Sequence, residues 1–316
     1  MVQVDLITGF LGAGKTTFLR RYVKYLTTQG HSVCILENDF GAVNVDAMLV
    51  QDLLGPGCDI ETISGGCDCD THQRRMRTKL IAMAMRGFDR VVVEPSGIFD
   101  VDEFFDILRD DPLDRWYTIG NVIAVVDAFL PEELSPQSEY LLASETMNAG
   151  RVLLSRAQLA SPAQTAAACA HLERALETAK SSRRFAPEEL VTKDWAQFTE
   201  EDLAQLASCG YRQASCEKLH FDEHDAFQSL CFLEQHLTLD ELKAAADRLF
   251  AAPECGHVLR VKGFAPTAEG GWLELNATAA SQSLAPIPQG QDVLIVIGEG
   301  LNKAAIEAQL HGENVQ

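Results

Sequence analysis

Residues 9–17 read Gly-Phe-Leu-Gly-Ala-Gly-Lys-Thr-Thr and stand between the apolar run Val4, Leu6, Ile7 and the helix-like Phe18-Leu19-Arg20-Arg21-Tyr22. Strand, glycine loop closed by Lys-Thr, and helix, in that order, form a phosphate-binding loop in its required context, so the chain is expected to bind a nucleoside triphosphate. Glycines let successive backbone N–H groups turn inward on phosphate oxygens, and the following helix N-terminus adds its positive end. Gly9, Gly12, Ala13, Gly14, Lys15, Thr16 and Thr17 are the expected nucleotide-contacting residues. Lys15 would reach the β- and γ-phosphates, and the Thr16 hydroxyl would sit on Mg²⁺.

The rest of the chain must supply a sheet to carry that loop. Its 316 residues, 47% apolar and 23% charged, suffice for two globular domains. The 46 acidic against 26 basic residues give a formal charge of −20, which repels nucleic acid and anionic membranes. No stretch approaches the ~18 uninterrupted apolar residues of a membrane span. Asp5 interrupts the N-terminus where a signal peptide would need an apolar run, so a cytoplasmic location is expected. Nine scattered cysteines do not resemble a disulfide framework; most are expected to be small core residues.

Short apolar runs alternate with helical patterns in the first half. Strands are expected at Ser32–Leu36, Val91–Val93, Val122–Val126 and Arg151–Leu154, with helices over 18–29, 72–86 and 163–180 and Gly30 ending the first. Runs this apolar suit a parallel sheet covered on both faces. The reading is an α/β, doubly wound, mostly parallel nucleotide-binding domain over residues 1–198, with Leu190–Thr192 as its last strand. A linker at 199–218 contains a helix capped by Thr199, and a smaller α+β domain covers 219–316. In that domain, helices are expected at 237–250 and 302–310, strands at 258–264, 271–275 and 293–297, and a loop from Ala279 to Gly290.

Further polar segments sit where a nucleotide hydrolase needs parts. The run Val91-Val92-Val93 ends in Glu94-Pro95-Ser96-Gly97, which puts a carboxylate beside the magnesium and the Gly97 N–H near the γ-phosphate. The second strand ends in Glu37-Asn38-Asp39-Phe40-Gly41, a candidate switch loop in which Glu37 or Asp39 would orient water or hold a magnesium-bound water. Next comes Gly66-Cys67-Asp68-Cys69-Asp70-Thr71-His72, where Cys67, Cys69, Asp70 and His72 offer up to four ligands for a borderline ion such as Zn²⁺ or Co²⁺, with Cys58 as a further donor. The lone histidines His220, His224, His236 and His257 have no ligand spacing and are read as structural or exposed.

With the glycine loop, Glu-Asn-Asp-Phe-Gly, Gly-Gly-Cys-Asp-Cys and Glu-Pro-Ser-Gly in order, the chain resembles the CobW-type GTPases, relatives of HypB and UreG. Val125-Val126-Asp127-Ala128, Gln137 and the stretches Val258–Phe264 and Ile297-Gly298 extend the likeness over nearly the whole length. The resemblance implies GTP hydrolysis coupled to delivery of zinc, cobalt or nickel to a metal-requiring client protein, with Mg²⁺ as cofactor, slow intrinsic turnover and a homodimer among the open oligomeric states.

Three departures bear on that expectation. The family's Gly-Cys-x-Cys-Cys ends here in Asp70, and the glutamate that usually follows Phe-Gly is Ala42. Where the family has Asn-Lys-x-Asp to read guanine, this chain has Ser155-Arg156-Ala157-Gln158; Phe185-Ala186-Pro187 also lacks the family's Asn-Pro. Losing the bidentate carboxylate costs roughly 2–4 kcal/mol of guanine preference, while Arg156 can still lay its stem on a base. Ser155, Arg156 and Gln158 therefore remain the expected base-contacting residues, with GTP or ATP as ligand. Two alternatives stay open: an adaptor that binds nucleotide with little hydrolysis, and an ATP-using variant.

Overall fold

The computed structural model describes residues 1–39, 49–64, 69–95, 101–216, 227–267, 270–279, 281–287 and 290–312. The chain divides into two compact units, the first built from Met1–Asp39 and Val50–Leu219 and the second chiefly from the C-terminal stretch.

The first unit runs β1 (Val2–Thr8), α1 (Lys15–Thr28), β2 (Val33–Asp39), β3 (Cys58–Ser64), α2 (Cys69–Arg86), β4 (Arg90–Pro95), α3 (Val101–Arg109), α4 (Leu113–Trp116), β5 (Tyr117–Asp127), α5 (Pro136–Met147), β6 (Arg151–Ser155), α6 (Pro162–Thr178), β7 (Leu190–Val191) and α7 (Glu200–Leu206). Its strands pair in the order β3-β2-β4-β1-β5-β6-β7, every neighbour parallel. This is the doubly wound sheet that the sequence implies. The inner strands are buried on both faces, which is why they read as unbroken Val, Ile and Leu. Chain order reverses across β1, so its C-terminal end opens on the ligand crevice of such sheets.

Phe18, Leu19, Tyr22, Val23 and Leu26 make the buried stripe of α1, which packs on Val92, Ile123, Val125 and Leu153 of the sheet. Leu206 and Cys209, in the stretch read above as a linker, belong to the same core. Gly30 ends α1 at φ 87°, where the Gly30 and His31 amides return to Thr27 and Leu26. Thr199 caps α7 in a reciprocal box with Asp202, as its sequence implies. Strand β3 was not expected. Its polar Asp59 and Glu61 pair with Arg86 and Lys79 of α2 at the edge of the sheet, so its pattern is half charged.

The second unit contains β8 (Phe227–Leu233), α8 (Leu239–Ala251), β9 (His257–Pro266), β10 (Trp272–Thr278), β11 (Ser281–Ile287), β12 (Val293–Glu299) and α9 (Lys303–Leu310). The strands form an antiparallel sheet in the order β11-β10-β9-β12-β8. Leu242, Ala245, Ala246 and Leu249 of α8 share a core with Val261, Leu275 and Val296. The approach is close enough that a Cβ on Gly263 would lie 2.6 Å from Leu242. The expected loop from Ala279 to Gly290 is instead largely β11, paired along its length with β10. Residues 282–286 are exposed on that edge, so the strand carries no apolar alternation for the sequence to show.

Candidate nucleotide-binding site

Strand β1 ends at Thr8 and the chain turns into the glycine loop. Gly9 has φ 136°, and a Cβ there would fall 2.0 Å from the Val125 carbonyl oxygen, so only glycine fits. Gly12 and Gly14 also lie in left-handed regions, at 76° and 98°. Gly14 is the N-cap of α1 and brings no capping side chain, which leaves the first-turn amides as donors for an anion. Ala13 is buried, and its amide returns to the Phe10 carbonyl at 3.2 Å. Lys15 is 7% exposed, and its Nζ donates to the Gly9 carbonyl at 2.7 Å, so the cation lies along the inside of the loop. Thr17 is exposed.

The next residue joins the loop to a neighbouring strand. Thr16 Oγ1 donates to Glu94 Oε1 at 2.8 Å. Glu94, near the end of β4, stands in register with Glu37 of β2, and both are buried. A hydroxyl and two carboxylates are hard oxygen donors of the kind Mg²⁺ takes, so the residues present fit that ion. Asp39 closes β2, but its side chain lies outside the described residues, as does Gly97 altogether.

On the other side of β1, Asp127 of β5 and Ser155 of β6 are register partners. Arg156 turns the chain at φ 57°; its Nε donates to Asp127 Oδ1 at 3.0 Å and its Nη2 pairs with Oδ2. The guanidinium also lies 5.5 Å from the centre of the Phe129 ring. Arg156, expected to lie along a base, is therefore anchored by its head to the end of β5. Ser155 is buried with its Oγ unpartnered among the described residues, and Gln158 is exposed.

The sequence reading missed Trp195. A Cβ on Gly14 would lie 3.6 Å from its ring and 3.8 Å from Ser155 Cβ, so Gly14, Ser155 and Trp195 converge at the start of α1. The ring meets Phe18 edge-on at 5.7 Å, and among the described residues its Nε1 has no hydrogen-bond partner. A tryptophan in the loop after the last strand was the available signal. Glu145 of α5 was also missed. It is an acid within a helix whose residues 141–147 are all buried, with Gly9 and Lys15 as its electrostatic neighbours.

The expected metal ligands divide differently. Cys67 lies outside the described residues. Cys69 and Asp70 open α2 and His72 follows in its first turn, but their side chains lie outside the described residues too. Cys58 begins β3, ~20 Å of strand away from Ser64 at the other end. Burial, reinforced by Asp59, pushes its thiol up to about 11, so a donor role for Cys58 is not supported. Among the described residues no group of three or more His, Cys, Asp or Glu side chains could hold a metal ion. Cys34, Cys209 and Cys255 are buried as expected of core cysteines. His236 and His257 each pair with one acid, Asp292 and Glu299; His220 and His224 are outside the described residues. No helix among the described residues is long and apolar enough to cross a membrane.

The family model "CobW/HypB/UreG, nucleotide-binding domain" matches residues 3–184. The zinc chaperone YjiA of Escherichia coli K12 is 32% identical over 174 residues, covering 52% of each chain. The zinc chaperone YeiR of the same organism is 30% identical over 141 residues, covering 44% of this chain and 42% of the relative. The chain thus spans about half the length of the curated relatives it matches. Over 99% of both chains, the solved structure of Zn(II)-bound YjiA GTPase from E. coli aligns at 23% identity with a TM-score of 0.38.

Proposed function

This chain belongs to the CobW/HypB/UreG family, and on that footing we propose that it is a Mg²⁺-dependent GTPase-type switch that delivers a metal ion to a client protein. The observation that carries the reading is the contact of Thr16 with Glu94 beside the glycine loop, with Lys15 held along that loop by Gly9. Backbone amides of the loop and the start of α1 would bind the β- and γ-phosphates, and Lys15 would exchange its Gly9 contact for them or share it. Thr16 and Glu94, the latter through water, would hold Mg²⁺, which when bound neutralises charge on the phosphate chain. Glu37 or Asp39 would orient the attacking water. Relatives named as zinc chaperones support Zn²⁺ as the cargo, with Cys67, Cys69, Asp70 and His72 as the candidate donors.

One observation favours a second reading. The loop after β6 presents Ser155 and a neutral, exposed Gln158 where the family reads guanine with a carboxylate, which suits a site indifferent to the base or one that takes ATP.

The test has two arms. Metal-free protein is titrated with Mg-GTP and Mg-ATP, and hydrolysis is followed with and without Glu94→Gln; slow turnover that this variant lowers ten- to a hundredfold is expected. Zn²⁺ affinity is then measured by chelator competition in the nucleotide-free and nucleotide-bound protein, and again after Cys67→Ser with Cys69→Ser. Nucleotide binding without turnover, or Zn²⁺ affinity untouched by the double variant, would sink the chaperone reading and leave an adaptor.

A further inference from the structure

The contact of Thr16 with Glu94 gives the triphosphate site a direction. Glu94 belongs to β4, on one side of β1, so the magnesium end of a bound nucleotide lies on that side. The nucleoside end then extends the other way, over β5 and β6. Ser155 closes β6, which stands two strand spacings, about 10 Å, from β1. Trp195 is at that same corner: a Cβ on Gly14 would lie 3.6 Å from its ring and 3.8 Å from Ser155 Cβ. Its segment holds the ring in place. Arg21 Nη1 donates to the Trp195 carbonyl at 2.6 Å, the Phe198 amide returns to the same carbonyl at 3.2 Å, and Asp194 accepts from the Ala196 amide at 2.9 Å.

Two buried donors are left over at this corner. Among the described residues, neither the Trp195 Nε1–H nor the Ser155 hydroxyl has a hydrogen-bond partner. Groups of this kind ordinarily find one when buried, so the pair suits a site whose acceptors arrive with the ligand. The ring itself is the accessible one here. Phe18 is fully buried and Phe129 stands against the Arg156 guanidinium, whereas Trp195 is half-buried and reaches solvent.

We propose that the base of the bound nucleotide stacks on Trp195, with the indole N–H and the Ser155 hydroxyl donating to acceptors of the nucleoside, and that the site takes nucleoside triphosphates of any base. This rests on the nucleotide-binding reading above. Every base presents a π-face, so an aromatic platform holds purines and pyrimidines alike. The loop after β6 does not sort them. Gln158 is neutral, and the Arg156 head is tied to Asp127. Affinity then comes from the ring and the phosphate contacts, and hydrogen-bond readout of the base edge adds little.

The experiment is calorimetric titration of the wild type and of Trp195→Ala with Mg-GTP, Mg-ATP, Mg-CTP and Mg-tripolyphosphate, which has the phosphate chain but no base. The wild type should bind the three nucleotides within about tenfold of one another. Trp195→Ala should weaken all three by about tenfold or more and leave tripolyphosphate unchanged. A wider spread among the nucleotides overturns the substrate class. No loss in the variant, or an equal loss for nucleotides and tripolyphosphate, overturns the stacking role, the ring then merely packing the loop. A wild type that binds neither nucleotide nor tripolyphosphate overturns the nucleotide-binding reading as well. Should Trp195→Ala fail to fold, the emission of Trp195 is followed after Trp116→Phe and Trp272→Phe, which remove the chain's other two tryptophans. Quenching by Mg-ATP and not by tripolyphosphate supports the stack; the same response to both, or none, overturns it.

Discussion

The Thr16 hydroxyl donates to Glu94 Oε1 across 2.8 Å and so ties the first turn of α1 to the end of β4. A hydrogen bond to a charged acceptor contributes about 1.5–3 kcal/mol, and here both ends are also expected at the magnesium. Thr16→Ala should therefore lower thermal stability measurably as well as Mg²⁺-dependent nucleotide affinity. Glu94→Gln retains an amide oxygen that can accept from Thr16, so its fold should be nearly unaffected while hydrolysis drops ten- to a hundredfold. Denaturant midpoints beside single-turnover rates separate the two. A Glu94→Gln protein with normal turnover would remove Glu94 from the chemistry.

Gly9 and Gly30 both have positive φ, but only one of them is sterically locked. A Cβ on Gly9 would lie 2.0 Å from the Val125 carbonyl oxygen, whereas nothing lies within 4 Å of one on Gly30. Gly30→Ala should cost about 1 kcal/mol, the strain of a left-handed alanine alone. Gly9→Ala must move the loop off β5, so it should cost more than about 2 kcal/mol and abolish nucleotide binding. Equal effects of the two substitutions on the melting temperature would refute this distinction.

Asp5 makes a separate, structural claim. It is fully buried and accepts from Tyr22 Oη at 2.8 Å, the Asn121 amide at 2.8 Å and Arg90 Nη1 at 2.7 Å. Tyr22 is correspondingly held well above the usual tyrosine value, by burial first and then by the neighbouring Asp5 charge. Asp5→Ala strands the Arg90 guanidinium, whose side chain is only 13% exposed, so about 3–5 kcal/mol of stability should be lost. Urea unfolding measures it, and nucleotide affinity of the remaining folded protein should be unchanged. A loss under about 1 kcal/mol would mean that water replaces Asp5.

How far the sequence could be read follows from how each element meets solvent. β1, β4, β5 and β6 were legible because both faces are buried, and the glycine loop because φ and close approach admit few residue types. β3 and β11 were not, since edge strands carry charge or exposed polar residues that mimic loops. Helix α3 did carry its signal, in the period of Val101, Phe104, Phe105 and Leu108, but went unread. Within the site, Lys15, Thr16 and Glu94 follow from motif spacing. Trp195 becomes a functional candidate only through the glycine loop it faces, a long-range relation that no local pattern encodes.

The base loop offers the sharpest remaining test. Guanine presents two adjacent donors, which a carboxylate accepts together; Gln158 offers one acceptor and an NH₂ that opposes the second donor. The residue is exposed, so exchanging it disturbs no core. Gln158→Asp should therefore raise the preference for GTP over ATP by ~2 kcal/mol, about 30-fold, with phosphate contacts unchanged. Ser155→Asn alone should leave the ratio near its starting value, because residue 155 is buried and neither side chain carries a charge. Competition of each nucleotide against a fluorescent analogue gives both ratios. If Gln158→Asp leaves the ratio unaltered, the base does not rest on this loop, and Trp195, which meets Gly14 from the neighbouring segment, becomes the residue to substitute for base selection.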